Sequence, residues 1–158
     1  MTEISPTDAA ALAIQAFVPP TAAQLEAARD VVGRFAAQWA KVDPDALREL
    51  MHADTRNLIP PMREAGNRET VVALFRGVLD QLPDLRISVI RWAPTGDAVM
   101  IEWRASATLA GRPLSWTGVD RFNIRGDRMY EGAVYWDTRG LAERMAETVQ
   151  AAQAAAAG

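Results

Sequence analysis

Asp120 stands where an acid is least expected. It lies in the stretch Ser115-Trp116-Thr117-Gly118-Val119-Asp120-Arg121-Phe122-Asn123-Ile124-Arg125, which reads as a β-strand with a period of two. One face of that strand carries Trp116, Gly118, Asp120, Phe122 and Ile124. The other carries Ser115, Thr117, Val119, Arg121, Asn123 and Arg125. An ionised carboxylate on an apolar face needs a partner or a shifted pKa. Two readings follow. In the first, Asp120 bonds a backbone amide or pairs with an arginine such as Arg104, and its role is structural. In the second, the face lines a cavity and Asp120 is its chemical group. His52 is the single histidine; it falls at the end of a short predicted helix, where a cation is favourable, or else serves as a second proton carrier at the cavity mouth. Asn57 alternates inward with Ile59, so it either hydrogen-bonds a ligand or caps a turn.

The chain around these residues is that of an ordinary folded domain. Its 158 residues suit one domain with a real core, and 49% hydrophobic with 23% charged residues is typical of such proteins. A net charge of −3, from 17 basic and 20 acidic residues, leaves no basic footprint for nucleic acid. With no cysteine there is no disulfide, thiol nucleophile or thiolate metal site, and one histidine cannot build a His-rich metal centre. No apolar run has the length of a membrane span. The amino terminus carries Glu3 and Asp8 and lacks a basic leader, so a cytoplasmic location is the default expectation.

Helix signals come first. Pro6 to Phe17 suits a short helix within an N-terminal extension, residues 1–20, closed by Pro19-Pro20. Thr21 and Gln24 form a capping box; Leu25, Ala28, Val32, Phe35, Ala36 and Trp39 then recur at helical spacing. Asp43-Pro44 opens a short helix to about His52, burying Leu47, Leu50 and Met51. An extended segment from Ala53 to Ile59 and a loop to Gly66 follow. Asn67 caps a third helix with Val71, Val72, Leu74, Phe75, Val78 and Leu79 mostly on one side, and Pro83 stops it.

From Leu85 the period becomes two. Strands are predicted over 85–92, 98–109, 115–125 and 128–137. The second sets Val99, Ile101, Trp103, Ala105 and Ala107 against Met100, Glu102, Arg104, Ser106 and Thr108. The last sets Tyr130, Gly132, Val134 and Trp136 against Met129, Glu131, Ala133, Tyr135 and Asp137. Glu102, Arg104 and Glu131 fall on the outer face, where cross-strand pairing would hold them. Residues 141–158 read as an Ala-rich helix that frays into a tail. Helices followed by a meander indicate an α+β fold, and exposed Tyr135 and Met129 fit a homodimer interface on the outer face. The five tryptophans sit at core spacings; Trp103 and Trp116 share the inward stripe with Asp120 and are the favoured pocket walls.

Several segments resemble the NTF2-like superfamily, and its SnoaL-like polyketide cyclase branch in particular. They are Asp43-Pro44-Asp45-Ala46-Leu47 through Leu50-Met51-His52-Ala53-Asp54, then Phe75-Arg76-Gly77 to Leu82-Pro83-Asp84-Leu85. Gly118-Val119-Asp120-Arg121-Phe122 resembles the closing hairpin, with Arg128-Met129-Tyr130-Glu131 and Tyr135-Trp136-Asp137. The resemblance spans roughly residues 24–140. It implies an NTF2-like cone: a strongly curved, mainly antiparallel sheet with about three helices over its concave face, the domain occupying residues 21–140. Ketosteroid isomerases place a base where this chain has Ile59 and an oxyanion tyrosine where it has Phe35; only their protonated aspartic acid is matched, by Asp120. Limonene-epoxide-hydrolase-like enzymes place their Arg-x-Asp pair and last acid at Ile101, Trp103 and Val134, and hold their water at Asn57 and Ile59, so that triad is absent. Scytalone-dehydratase-like chemistry needs two histidines. SnoaL-like cyclases close a polyketide ring by aldol condensation without metal or cofactor, with an aspartate at the position of Asp120. A base raised in pKa by burial among Trp103, Trp116 and Phe122 suits proton abstraction beside a carbonyl. Gly132 and Val134 depart from the polar groups often found on the last strand.

The expectation is therefore a cofactor-independent cyclase or isomerase acting on a small hydrophobic carbonyl compound, with no metal, nucleic acid or membrane partner. Asp120 and His52 are its candidate catalytic residues. Phe35, Trp39, Asn57, Ile59, Ile101, Trp103, Trp116, Phe122, Tyr130, Val134 and Trp136 are the candidate lining. The rival expectation is a non-catalytic ligand-binding or dimerisation module on the same fold.

Overall fold

The structure, a computed structural model, describes residues 19–60, 62 and 64–156. The helix expected within Pro6–Phe17 lies outside the described residues. Helix α1 spans Ala22–Ala40. Its capping box is formed: Gln24 N donates to Thr21 Oγ1 at 3.2 Å and Thr21 N to Gln24 Oε1 at 2.9 Å. The buried stripe is Ala28, Val31, Val32, Phe35 and Trp39. A single 3-10 turn, Ala46–Leu50, replaces the longer helix expected to reach His52. Met51 is already extended and begins strand β1, Met51–Leu58. Helix α2, Arg68–Gln81, starts at Asn67, whose side chain accepts from Thr70 N at 3.0 Å. Arg48 ties the turn to α2 through an ion pair with Glu69 at 2.6 Å.

Strands β2 (Arg86–Thr95), β3 (Ala98–Leu109), β4 (Arg112–Arg125) and β5 (Arg128–Trp136) form the expected meander. The sheet order is β1-β5-β4-β3-β2. Only the β1–β5 pairing is parallel, so the sheet is mixed and its five strands do not close into a barrel. Three helices and this curved sheet make the α+β NTF2-like cone. The third helix, α3, runs Thr138–Ala156. It continues through the Ala-rich segment expected to fray, in keeping with the helix preference of alanine. Gly140 N donates to Asp137 Oδ1 at 2.8 Å at its start. Among the described residues no helix is long and apolar enough to cross a membrane.

The β4–β5 pairing contains the one irregularity that matters for the interior. Asn123 faces Glu131, but Ile124 faces Met129. Tyr130 is the extra residue of a β-bulge, which reverses the side-chain alternation at the start of β5. Met129 therefore turns inward and is 3% exposed, contrary to the expectation that it lies on the outer face. Tyr130 turns outward, with its hydroxyl 3.3 Å from Asp97 Oδ2 and Arg125 stacked 5.1 Å from its ring centre. Tyr135 is 58% exposed, as expected of the outer face. The expected outer-face acids pair there: Glu102 with Arg91 at 2.7 Å and Glu131 with Arg121 at 2.8 Å.

Glycine at 132 permits another close approach. Its register neighbours are Phe122 on β4 and Asn57 on β1. A Cβ at 132 would fall on Asn57 Oδ1 and lie 2.8 Å from the Phe122 ring. Gly132→Ala is expected to cost about 2 kcal/mol by overpacking, measured by denaturant unfolding; unchanged stability would show that this row is looser than described.

Candidate active site

The concave side of the sheet, α1, α2 and the start of α3 enclose a cavity of about 500 Å³. Its lining includes seven aromatic rings: Phe35, Trp39, Phe75, Trp103, Trp116, Phe122 and Trp136. The rings touch in pairs. Trp39 meets Phe75 edge-on at 4.7 Å between centres, and Phe35 lies 6.0 Å from Phe122. Among the described residues no lysine, arginine or histidine lines the cavity. Apart from the tryptophan N–H groups, the polar side chains of its described lining are Asn57, Gln81 and Asp120.

Asp120 is 5% exposed and belongs to the lining. Its Oδ1 accepts a 2.7 Å hydrogen bond from Trp103 Nε1. That is its one hydrogen bond among the described residues, and it has no ion pair there. Arg104, the structural partner weighed from sequence, lies on the opposite, exposed face of β3. Burial pushes the Asp120 carboxyl up to about 7, with the Trp103 N–H opposing the rise.

Gly118 makes the Trp103 contact possible. In register, Trp103 faces Gly118 and Ile101 faces Asp120. The indole must lean diagonally over position 118 to reach the acid. A Cβ there would collide with the Trp103 ring and sit 2.8 Å from Tyr135 O. Across the strand, Gly118 faces Trp136, so its empty position also lets the two indoles meet, 6.1 Å apart and nearly edge-to-face.

Asn57 is 2% exposed. Its Nδ2 is engaged by Thr55 Oγ1 at 3.0 Å and Met51 Sδ at 3.7 Å, so what remains for a ligand is the acceptor Oδ1. Its backbone pairs with Gly66, with both bonds at 2.8 Å.

The cavity thus gathers Asp120, Phe35, Trp39, Asn57, Ile59, Trp103, Trp116, Phe122, Val134 and Trp136 from the residues picked out by sequence. Three others do not belong to it. Ile101 is fully buried in the core but does not line the cavity. Tyr130 is turned outward by the bulge. His52 sits on β1 and not at a helix end, with Nε2 2.6 Å from the Arg125 carbonyl oxygen; it is neither a mouth residue nor a helix-dipole partner. Sequence reasoning missed Met129, whose position depends on the bulge, and Leu141 and Met145 of α3. The i, i+4 spacing of that last pair was the available signal. Val71, Leu74, Phe75 and Val78, from the apolar side expected of this helix, form a further part of the wall. Among the described residues no group of three or more His, Asp or Glu side chains could hold a metal ion.

A curved sheet with helices over an apolar hollow is the architecture of the NTF2-like fold. The SnoaL-like domain family matches residues 32–132, and the chain belongs to that family. Solved structures share the fold. A candidate SnoaL-like polyketide cyclase from Jannaschia sp. CCS1 superposes with a TM-score of 0.69 at 16% identity, covering 81% of this chain and 96% of that one. IdmH, a candidate polyketide cyclase from Streptomyces antibioticus, gives 0.67 at 21% identity, covering 75% and 97%. AclR, a candidate hydroxylase from Streptomyces galilaeus, gives 0.68 at 19% identity, covering 78% and 98%. Comparison with curated proteins finds no match.

The raised acid gives the fold a pH dependence. The folded-state value near 7 lies above the unfolded value near 4. Between those limits the native state holds a proton that the unfolded chain releases, so the contribution of Asp120 to stability is most favourable below about pH 4 and falls as pH rises to about 7. The full difference is on the order of 4 kcal/mol. Asp120→Asn is expected to remove this slope in unfolding experiments at a series of pH values. Trp103→Phe is expected to move the Asp120 midpoint above 7, read by carbon NMR of the carboxyl, because it deletes the one group that lowers it. A midpoint that falls or stays put would refute that role for the indole.

Proposed function

We propose that this chain is a cofactor-independent cyclase- or isomerase-type enzyme that acts on a small hydrophobic carbonyl compound, with Asp120 as its acid/base. The observation that carries the reading is a buried carboxyl, pushed up to about 7 by desolvation, that lines an apolar cavity with no cation beside it among the described residues. Near neutral pH both forms of such a group are populated, as a proton shuttle requires. With Oδ1 held by Trp103, Oδ2 takes a proton from the carbon next to the substrate carbonyl and leaves an enolate. In a cyclisation the enolate carbon bonds to a second carbonyl carbon of the same molecule, and the alkoxide so formed takes the proton back. In an isomerisation the proton returns to a different carbon. The aromatic walls hold a flat molecule in the folded shape the first course needs.

One observation favours the rival reading, a binding module without catalysis. Beyond Asp120 and the tryptophan N–H groups, the described lining offers an enolate oxygen few donors: Asn57 Nδ2 is already bonded, and Gln81 lies on an exposed part of α2.

Exchange of α-protons separates the two. 2-Tetralone in D₂O, followed by proton NMR, is expected to exchange faster with the protein than with buffer, and faster as pH rises through about 7. Asp120→Asn is expected to lower that rate by at least about a hundredfold with the fold intact. Equal exchange by the variant rejects Asp120 as the base, and no exchange by the parent chain favours the binding module.

A further inference from the structure

We propose that the natural ligand has an anionic end, a carboxylate or a phosphate, and that Arg104 and Arg144 receive it outside the cavity while its apolar body lies inside. The inference rests on the reading of the cavity as a ligand site. A second hollow of about 470 Å³, polar where the first is apolar, is lined by Arg104, Ser115, Trp116, Thr117, Asp137 and Arg144. Trp116 belongs to the walls of both hollows. Helix α3 serves both as well: Leu141 and Met145 face the cavity, and Arg144 faces the polar hollow.

Charge assigns the orientation. Among the described residues the cavity lining has no basic side chain, and Asp120 would repel an anion, so the cavity disfavours a negative group at its inner end. Outside, Arg104 and Arg144 line one hollow. Arg91, Arg121 and Arg125 each pair with a carboxylate, whereas Arg104 and Arg144 have no such pair among the described residues. Arg144 is held by backbone carbonyls instead, through Nη1 to Ser115 O at 2.9 Å and Nε to Gly140 O at 3.3 Å. Those bonds orient it without neutralising it and leave Nη2 free for an anion. Asp137 is the one acid of the hollow, and its Oδ1 accepts the Gly140 N–H. The hollow therefore keeps a net positive charge, with the Ser115 and Thr117 hydroxyls as further donors. A carboxylate and a phosphate monoester both fit this donor set.

The test compares molecules that differ only at the end. N-phenyl-1-naphthylamine, a neutral dye that fluoresces in apolar cavities, is displaced from the intact protein by decanol, decanoate or decyl phosphate. Both anions are expected to displace it at about tenfold lower concentration than decanol. Arg104→Gln with Arg144→Gln is expected to erase that preference, and Arg112→Gln, at the exposed start of β4, to keep it. Decyl phosphate outcompeting decanoate assigns a phosphate end, and the reverse a carboxylate end. Equal potency of decanol and the anions, or a preference that survives the double substitution, overturns the inference. Either result with Asp120-dependent exchange intact defeats this inference alone, whereas failure of the dye to enter defeats the cavity reading as well.

Discussion

Trp103 can reach Asp120 only because position 118 has no side chain, and much of the interior follows from that gap. A carboxyl that is 5% exposed among aromatic rings has lost its hydration and gains a single neutral donor in return. One indole N–H offsets part of the desolvation and none of the charge. Burial therefore raises the carboxyl to about 7, where an arginine beside it would have lowered it. An arginine was within one residue of supplying the alternative: Arg104 follows Trp103, and strand alternation sends it to the other face. The chemistry of the site thus depends on the parity of β3.

A hollow of about 500 Å³ in a chain of 158 residues weakens a core that would otherwise be packed at crystal-like density. The side chains around it compensate by meeting one another in place of filling the space. Trp39 with Phe75 joins α1 to α2, Phe35 with Phe122 joins α1 to the sheet, and Trp103 with Trp136 spans three strands over Gly118. Gly132 plays the matching part at the other end, letting the Asn57 amide and Phe122 close over β5. Two glycines in strands usually weaken a sheet; here each is the place where large side chains from neighbouring strands come together. The same economy explains why Asn57 is a poor oxyanion donor, since its N–H groups are engaged by Thr55 and Met51.

The fold was legible because its signals are local and agree with one another. The Thr21–Gln24 box, the Asn67 cap, the proline stops and the change of period at Leu85 each mark an element by short-range chemistry. The inward acid was legible for the same reason, since alternation alone puts Asp120 beside Trp116 and Phe122. What escaped depends on pairing between strands. Tyr130 and Met129 exchange faces because one residue is inserted opposite β4, and nothing in the run Arg128-Met129-Tyr130-Glu131 announces it. His52 was misplaced because the 3-10 turn ends at Leu50; two residues suffice to move a side chain from a helix terminus to a strand. Ile101 shows a different limit. Facing inward and lining a cavity are separate properties, and only packing tells them apart.

Helix α3 shows how little burial an element needs when its ends are fixed by polar contacts. None of its residues is buried, yet Leu141 and Met145 complete the cavity wall. The Asp137 cap sets where it begins and Arg144 bonds it to the Ser115 carbonyl on β4. With so little apolar area committed, this helix stands at the low-stability end of the molecule. It is also the element through which a ligand in the cavity would be felt most readily at the surface, because the side chains that touch the apolar space and the one that reaches the polar hollow lie within a single turn of each other. Part of the apolar wall and one charge of the polar hollow are thereby carried on neighbouring residues of one helix, so any movement of α3 changes both together.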